Sequence, residues 1–478
     1  MSKFSIKLQY NTETMRRSLI FLIAVTGIAL LVHGYKIGEY LFLIGSFLLL
    51  YKVDICKHQV AVTLGFFTVI LLLKFLQYEF YMSTGYDLGI FSNILYNLSH
   101  HGILYDSLNG RHGFSGHIWP AAFILAPLFK LWSHPGSLLI LQSLAIALTI
   151  PALCAYGRTF KHISMIALLL MFNIYLHRVS AFDFHPESLA IPMFFAGVFA
   201  LEEGKNPGFF LILLLTLTLK EDIAIGWLSL SLYYIISGDR RKALKIAVPA
   251  IIYSAFALIL FLKFVDFAAM RELHYSGDFN PFHRIKPVIE FFASFGFLPL
   301  IRIRETAIFS MPLLEHLSSA RRLHYKLKCQ YSALLIPLSI IAFLKSEKTF
   351  KRKTLTSLVI FGVLFSISSR ILSTYIDIDK VNLEKARYID SLIENFPERA
   401  KLCAGNHIIP HLATRDGVTQ FPLINGADFI IIDTTWHDYT PITRDSAEIL
   451  IKRLIESGDY AVKSDSFGVL VLKNEKDR

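Results

Sequence analysis

Apolar residues in this chain gather into long runs, and short polar or basic turns separate them. The runs are continuous rather than alternating, so they read as helices. They predict about 13 membrane-spanning segments, over 19–33, 38–51, 60–77, 137–156, 163–177, 188–202, 208–219, 222–237, 245–265, 287–301, 305–318, 331–345 and 354–373. A helix suits a bilayer because it satisfies its backbone hydrogen bonds within one segment. After residue 374 the pattern changes. "DFIIID" (428–433) and "FGVLVLK" (467–473) read as strands, while "YIDSLIENFP" (388–397) and "RDSAEILIKRLIESG" (444–458) read as helices. The second helix opens on an Asp–Ser start signal. Alternating strands and helices predict a small α/β domain.

Composition agrees with this division. Of the 478 residues, 54% are hydrophobic and 18% charged, against about 25% charged in an ordinary soluble chain. The net charge of +11 is the Lys and Arg excess of cytoplasmic loops, not a nucleic-acid footprint. Cys56, Cys154, Cys329 and Cys403 are scattered without a CxxC, which predicts neither a metal cluster nor a disulfide framework. The basic stretch "MSKFSIKLQYNTETMRRS" has no small-residue cleavage site and reads as the flank of a retained helix.

The basic residues also orient the chain. Lys3, Lys7, Arg16 and Arg17 place the N-terminus in the cytoplasm. The segment "WPAAFILAPLFKLW" (119–132) then decides the rest. If it crossed, "GRTFKH" (157–162) and "SGDRRKALK" (237–245) would lie outside, with the wrong sign of charge. As an amphipathic segment in the outer interface, it leaves each of these basic loops inside and the tail outside. The expected organisation is an N-terminal transmembrane hairpin (1–59), a transmembrane domain (60–373) with an external loop (78–117) and an interfacial segment (118–133), and a soluble extracytoplasmic α/β domain (374–478). The protein is thus expected to be a multi-pass protein of the cell membrane.

This topology collects ionisable groups on one outer face. Asp87 starts an amphipathic stretch just after a span. It fits either a carboxylate complementing a helix dipole or a general base at the membrane rim. His100, His101, His112 and His117 share its loop; clustered His can bind metal, but their spacing matches no zinc pattern. In "FDFHPES", Asp183, His185 and Glu187 alternate, which in extended backbone puts them on one face. Asp183 and His185 then form a natural pair, and the bland alternative is a solvated turn. Lys220, Glu221 and Asp222 stand between two apolar runs. Such groups pair with one another or line a polar cavity, or else form a hairpin with a snorkelling Lys. His177 and Arg178 lie on the same face and could serve an anion. His324 and Tyr325, with Lys326 and Lys328, put positive charge where the outside is expected. That points to an anionic ligand such as a lipid phosphate, or to headgroup anchoring. Asn97-Leu-Ser is a weak glycosylation sequon.

The ordered motifs "YDLGIFSNILYNLSHHG", "GHIWPAAFILAPLF", "FDFHPESLAIP", "LKEDIAIGWLSLSLYY" and "QYSALLIPL", with "NHIIPHLATRDGVTQFP" and "ADFIIID" in the tail, resemble a family of predicted bacterial and archaeal integral-membrane proteins. That family is similar in turn to the GT-C superfamily of polyprenyl-phosphate-sugar glycosyltransferases. The resemblance runs from about residue 78 into the tail and leaves the first two spans outside it. It implies an all-α polytopic membrane protein of GT-C-like fold with a C-terminal α/β domain. The implied activity is sugar transfer from a polyprenyl-phosphate-linked donor on the extracytoplasmic face. Asp87 then corresponds to the acidic residue of the first external loop and would be the base. Lys220, with His185 or Arg178, would meet the lipid phosphate, and Glu221 and Asp222 would orient Lys220 or bind sugar hydroxyls. Asp183, Glu187, His117, His324 and Tyr325 complete the expected substrate-binding set. Membrane lipids are the expected partners, with no nucleic acid. No cofactor is required, and a divalent cation stays open. One departure is that Leu88 and Gly89 follow Asp87, where the superfamily often carries a second acid. The alternative readings are a transporter or lipid flippase, against which stands the lack of an inverted repeat, and a non-catalytic membrane scaffold.

Overall fold

A computed structural model describes residues 20, 22–28, 36–266, 271–272, 280–346, 351–436, 438–439 and 442–475. Of the first expected span, 19–33, residues 19, 21 and 29–33 lie outside the described residues. The helices of the membrane part are α1 (Ile37–Leu50), α2 (Gln59–Glu79), α3 (Ile90–His101), α4 (Ala122–Phe129), α5 (Gly136–Tyr156), α6 (Ile163–Met171), α7 (Ile174–Ala181), α8 (Glu187–Glu202), α9 (Asn206–Leu217), α10 (Ile223–Ile236), α11 (Arg240–Phe264), α12 (Phe282–Ser294), α13 (Ala307–Ser318), α14 (Arg322–Tyr325), α15 (Leu335–Ser346) and α16 (Arg352–Ser368). A two-stranded hairpin, β1 (Tyr105–Asp106) with β2 (Arg111–His112), follows α3.

Among the described residues, α2, α5 and α11 are long and apolar enough to cross a membrane alone. Two bent pairs raise the number to five: α6 with α7, at 48°, and the stretch Arg322–Ser332 with α15, at 75°. The expected count of spans is therefore not matched by helix length. Apolarity alone did not register the breaks. Asn173 caps α7, accepting from the Tyr175 and Leu176 N–H groups, and so divides the run 163–177. The polar turn from Thr218 to Asp222 stops α9 at Leu217. The segment 119–132 forms α4 and a 3-10 turn, Lys130–Trp132, together too short to span. Phe123, Ile124, Leu128 and Leu131 remain exposed on it.

One apolar core runs through the helices. At its centre the fully buried Trp227 stacks on Phe194, ring centroids 4.6 Å apart. At one end of the bundle the α1–α2 turn meets the end of α5, and Cys56 is joined to Cys154 by a disulfide with a Cα separation of 5.5 Å. The sequence reading of unpaired cysteines is corrected here. The pair is 98 residues apart, so no local spacing announced it. Arg158 and Glu203 pair nearby at 2.7 Å. Helix α2 carries the chain from this end to the other, where the carboxylates and the C-terminal domain gather. There the buried Glu39 accepts from the Leu372 N–H at 2.6 Å and the Ser373 hydroxyl at 2.7 Å, tying α1 to the chain after α16.

The C-terminal part contains α17 (Leu383–Asn395), β3 (Leu402–Ala404), α18 (Ile409–Leu412), β4 (Val418–Gln420), β5 (Phe429–Asp433), α19 (Arg444–Glu456), β6 (Tyr460–Ser466) and β7 (Val469–Asn474). The sheet order is β4-β3-β5-β7-β6. β3 runs parallel to β4 and β5, while β7 runs antiparallel to β5 and β6. The two expected strands are β5 and β7, and the two expected helices are α17 and α19. Thr443, not the Asp–Ser pair, caps α19, accepting from the Ser446 N–H. Strands β3, β4 and β6 were not expected. β3 and β4 have three residues each, too few to show a period.

Candidate active site

Three chain segments converge where α2 ends. A π-helical turn, Gly85–Gly89, carries Asp87. The link from α7 to α8 carries Asp183 and His185, and Glu187 opens α8 directly after Pro186. The link from α9 to α10 carries Lys220, Glu221 and Asp222.

Their side chains form one continuous chain of contacts. His185 Nε2 lies 2.8 Å from Asp87 Oδ1, and His185 Nδ1 lies 2.9 Å from Glu187 Oε2. Lys220 Nζ bonds to Glu187 Oε1 and lies 2.9 Å from Asp222 Oδ2. His117 Nδ1 meets Glu221 Oε1 at 3.0 Å, and the Ile118 N–H donates to the other Glu221 oxygen at 2.9 Å. The His117 and His185 rings are 6.2 Å apart. His185, Glu187 and Lys220 are almost wholly buried, while the Asp87 side chain keeps 21% of its exposure. Asp87 is thus one partly open end of the chain, and His117 with Glu221, at 34% and 24%, is the other. Asp87 Oδ1 is held by His185, and its Oδ2 has the weaker contact, with Thr84 Oγ1 at 3.4 Å.

Two expectations change in detail. Asp183 does not pair with His185. It accepts from the Thr84 N–H at 2.6 Å and the Thr84 hydroxyl at 2.8 Å. Pro186 turns the chain into α8, so the strict alternation ends at His185 and Asp183 faces the Asp87 turn instead. Lys220 stands in the salt-bridged alternative: two carboxylates hold its ammonium. Beneath these groups the buried Lys74 of α2 donates to the Phe182 carbonyl at 2.7 Å, and Gln142 of α5 donates to the Val179 carbonyl at 2.9 Å. Both were missed because each is a lone polar residue inside an apolar run.

Burial alone would push the His185 imidazole down. The Glu187 charge and the hydrogen bonds to Asp87 and Glu187 outweigh it and hold His185 up at about 9. For Asp183, burial is the largest effect and raises the carboxyl, with Asp87 adding to it and Lys74 and Thr84 opposing.

The remaining expected groups separate. Arg178 and Tyr325 line a different space, a cavity of about 730 Å³ bordered also by Lys286, Arg322, Lys326 and Lys328, with Glu290 as its acidic member. The Arg178 guanidinium lies 4.8 Å over the Tyr175 ring. His324 turns away from this cavity to pack on Tyr331, ring centroids 3.9 Å apart. His177 is buried among helices, bonded to the Tyr375 hydroxyl at 3.0 Å and the Met171 carbonyl at 2.8 Å. His100, His101 and His112 do not join His117. They meet Ser99 Oγ at 2.9 Å, Asp416 at 2.9 Å and the Phe264 ring at 4.0 Å. Asn97 of the sequon is buried, its amide donating to the Tyr105 carbonyl at 2.9 Å. Among the described residues, no three His, Cys, Asp or Glu side chains are grouped to hold a metal ion.

The site thus lies in a helical bundle, on an acidic turn directly after a long helix, with a small α/β domain against that turn. Residues 77–273 and 269–471 match the family described as Predicted membrane protein (DUF2079), and the chain belongs to that family. In fold it is similar to ArnT from Cupriavidus metallidurans bound to undecaprenyl phosphate, with a TM-score of 0.53 at 12% identity over 88% of this chain and 98% of that one. Against the apo state of the same ArnT the TM-score is 0.54 at 11% identity, over 87% and 98% of the two chains. The likeness is one of fold. No curated protein matches the chain by sequence.

Proposed function

We propose that this protein is a membrane glycosyltransferase that takes a sugar from a polyprenyl-phosphate-linked donor on the extracytoplasmic face. The observation that carries the reading is Asp87. It is a partly exposed carboxylate at one end of a buried ion-pair chain, fixed by one oxygen and open at the other. In an inverting transfer it takes the proton of the attacking hydroxyl as the new glycosidic bond forms. The bond from the anomeric carbon to the phosphate oxygen breaks, and its electron pair leaves on the lipid phosphate. That departing charge needs cations.

The basic cavity supplies them better than Lys220, whose charge is already matched. Arg178 lies five residues before Asp183 in the chain. Lys328, which also lines the cavity, stands directly before the 3-10 turn Cys329–Ser332 that carries Tyr331. A polyprenyl phosphate seated against Arg178, Arg322, Tyr325, Lys326 and Lys328 is therefore the favoured donor pose. Support also comes from the fold it shares with ArnT, which was solved with undecaprenyl phosphate.

The test uses purified protein in nanodiscs, undecaprenyl phosphate as binding probe, and a panel of polyprenyl-phosphate sugars as donors. Arg322→Glu with Lys326→Glu should weaken binding about tenfold or more, whereas Asp87→Asn should bind like wild type and lose turnover. Equal binding by all forms removes the cavity from the reading. Sugar release that survives Asp87→Asn removes Asp87 as the base. Lipid movement across vesicles without sugar release would make the protein a flippase.

A further inference from the structure

The α/β domain touches the turn that carries Asp87, and one of its residues holds that turn by its backbone. The Gly85 N–H donates to the Asn406 carbonyl oxygen at 2.7 Å and to the Asn406 side-chain oxygen at 2.9 Å. The Tyr86 N–H donates to the same side-chain oxygen at 3.3 Å. These are the first amides of the π-helical turn, the positions that have no partner within their own helix. Asn406 is 5% exposed and stands 320 residues further along the chain than Tyr86. Its amide nitrogen donates onward to Asp438 at 3.1 Å, which fixes the orientation of the side chain.

Steric contact makes the seat specific. A Cβ on Gly85 would come within 2.6 Å of Gln420 Oε1 and 2.9 Å of both the Asn406 carbonyl oxygen and Ile409 Cβ. Only glycine lets the turn approach this closely. Strand β4 adds a further tie, where the Gln420 N–H donates to the Leu108 carbonyl at 2.9 Å.

We propose that Asn406 is a positioning residue for the reaction: it caps the Asp87 turn from the C-terminal domain and so sets where the Asp87 carboxylate points. This rests on the reading of Asp87 as the base. The π-helical turn is a rare geometry that needs outside support. Asp87 lies two residues past Gly85, so a shift of the capped amides moves its carboxylate relative to His185 and to an incoming hydroxyl. A misplacement of about 1 Å in such a group costs on the order of a hundredfold in rate.

The experiment compares wild type, Asn406→Ala, the double variant Asn406→Asp with Asp438→Asn, and Asp87→Asn as full chains in nanodiscs. Hydrogen exchange is followed in the peptide covering residues 83–90, and turnover of a polyprenyl-phosphate sugar is measured alongside. Asn406→Ala keeps the backbone carbonyl that holds Gly85 but removes the side-chain oxygen, so it should speed exchange at Tyr86 more than at Gly85 and lower kcat at least tenfold, with donor KM within about twofold. Asn406→Asp paired with Asp438→Asn keeps the accepting oxygen and restores a donor facing it across the 3.1 Å contact, so this double variant should keep slow exchange and recover most of kcat. Unchanged exchange and kcat in a folded Asn406→Ala would overturn the proposal. If Asn406→Ala does not fold, the Asn406→Asp, Asp438→Asn double variant carries the test, and fast exchange or low kcat in that folded variant overturns it. Turnover that persists in Asp87→Asn would instead sink the catalytic reading, and the exchange data would still decide whether Asn406 caps the turn.

Discussion

His185 sits between two carboxylates, and that placement governs its response to pH. Its folded-state value of about 9 exceeds the ordinary 6.5, so the folded protein binds the extra proton more tightly than the unfolded chain. The stability this contributes is complete below pH 6.5 and disappears as pH rises through about 9. Melting of wild type should therefore fall between pH 7 and 9.5 more steeply than melting of His185→Gln; parallel slopes would contradict the protonated assignment. Lys220 makes a second residue-scale prediction. Lys220→Met leaves the mostly buried Asp222 without its cation and Glu187 with His185 alone, at a cost of about 3–5 kcal/mol. Adding Asp222→Asn removes the stranded charge, so the double variant should melt above the single one. A single variant as stable as wild type would mean that the ammonium does not compensate these acids. The sequence made the members of this cluster legible, because ionisable residues between apolar runs are costly enough to imply partners. Which partners they choose was not legible. Asp183 turning to Thr84, and Glu187 rather than Asp183 orienting His185, depend on the helix that starts after Pro186, and composition does not encode that direction.

Among the elements, hydropathy identified where helices lie better than how long they run. The turns at Asn173 and Thr218 interrupt apolar stretches with hydrogen-bonding groups that a sliding average absorbs. The short helices this leaves are held by their neighbours and by crosslinks rather than by length. Cys56–Cys154 is one such crosslink, fastening the α1–α2 turn to the end of α5. It closes a loop of 98 residues, for which chain-entropy arguments give about 4–5 kcal/mol. Cys56→Ser and Cys154→Ser should each lower the melting temperature, and wild-type melting should fall to the same level in reductant. Mass spectrometry without reduction should find the linked peptide; two free thiols on the purified protein would refute the pairing. Scattered cysteines in apolar surroundings look inert in sequence, and only the packing of α5 beside α1–α2 makes them neighbours. The short stretch around α14 shows the reverse case. Its excess of positive charge on the expected outer side was already visible, and it becomes one wall of the basic cavity.

Across the whole molecule, the C-terminal domain is a wall of the site rather than a tethered appendage, and its attachment responds to acid. Its strands and helices were legible in part, but its docking was not, because the contacts join residues more than 300 positions apart. The key side chain is His411. It lies between the Tyr78 and Tyr81 rings, 4.0 Å from each centroid, and its Nε2 meets the Tyr78 carbonyl oxygen at 3.1 Å. Burial pushes its imidazole down to about 3, so the docked form holds it neutral. A group depressed in this way gives its full stabilisation above its free value of 6.5 and loses it as pH falls toward about 3. His134 and His407 are the neighbouring imidazoles that oppose its protonation. Asp390 faces the same contact through its bond from the Tyr81 hydroxyl at 2.6 Å, and Glu79 lies beside Tyr78 in the chain. Docking should thus weaken by up to tenfold per pH unit below 6.5, since one proton is taken up on release. Spin labels placed across the interface should be separated in a larger share of molecules at pH 5 than at pH 7. His411→Phe keeps the ring stack but cannot take a proton, so its label separation should not change over that range. An equal loss in both proteins would assign the acid response to another group and leave His411 a neutral spacer. A flat response in the variant alone would show that one buried imidazole couples the surrounding pH to the seat of the Asp87 turn.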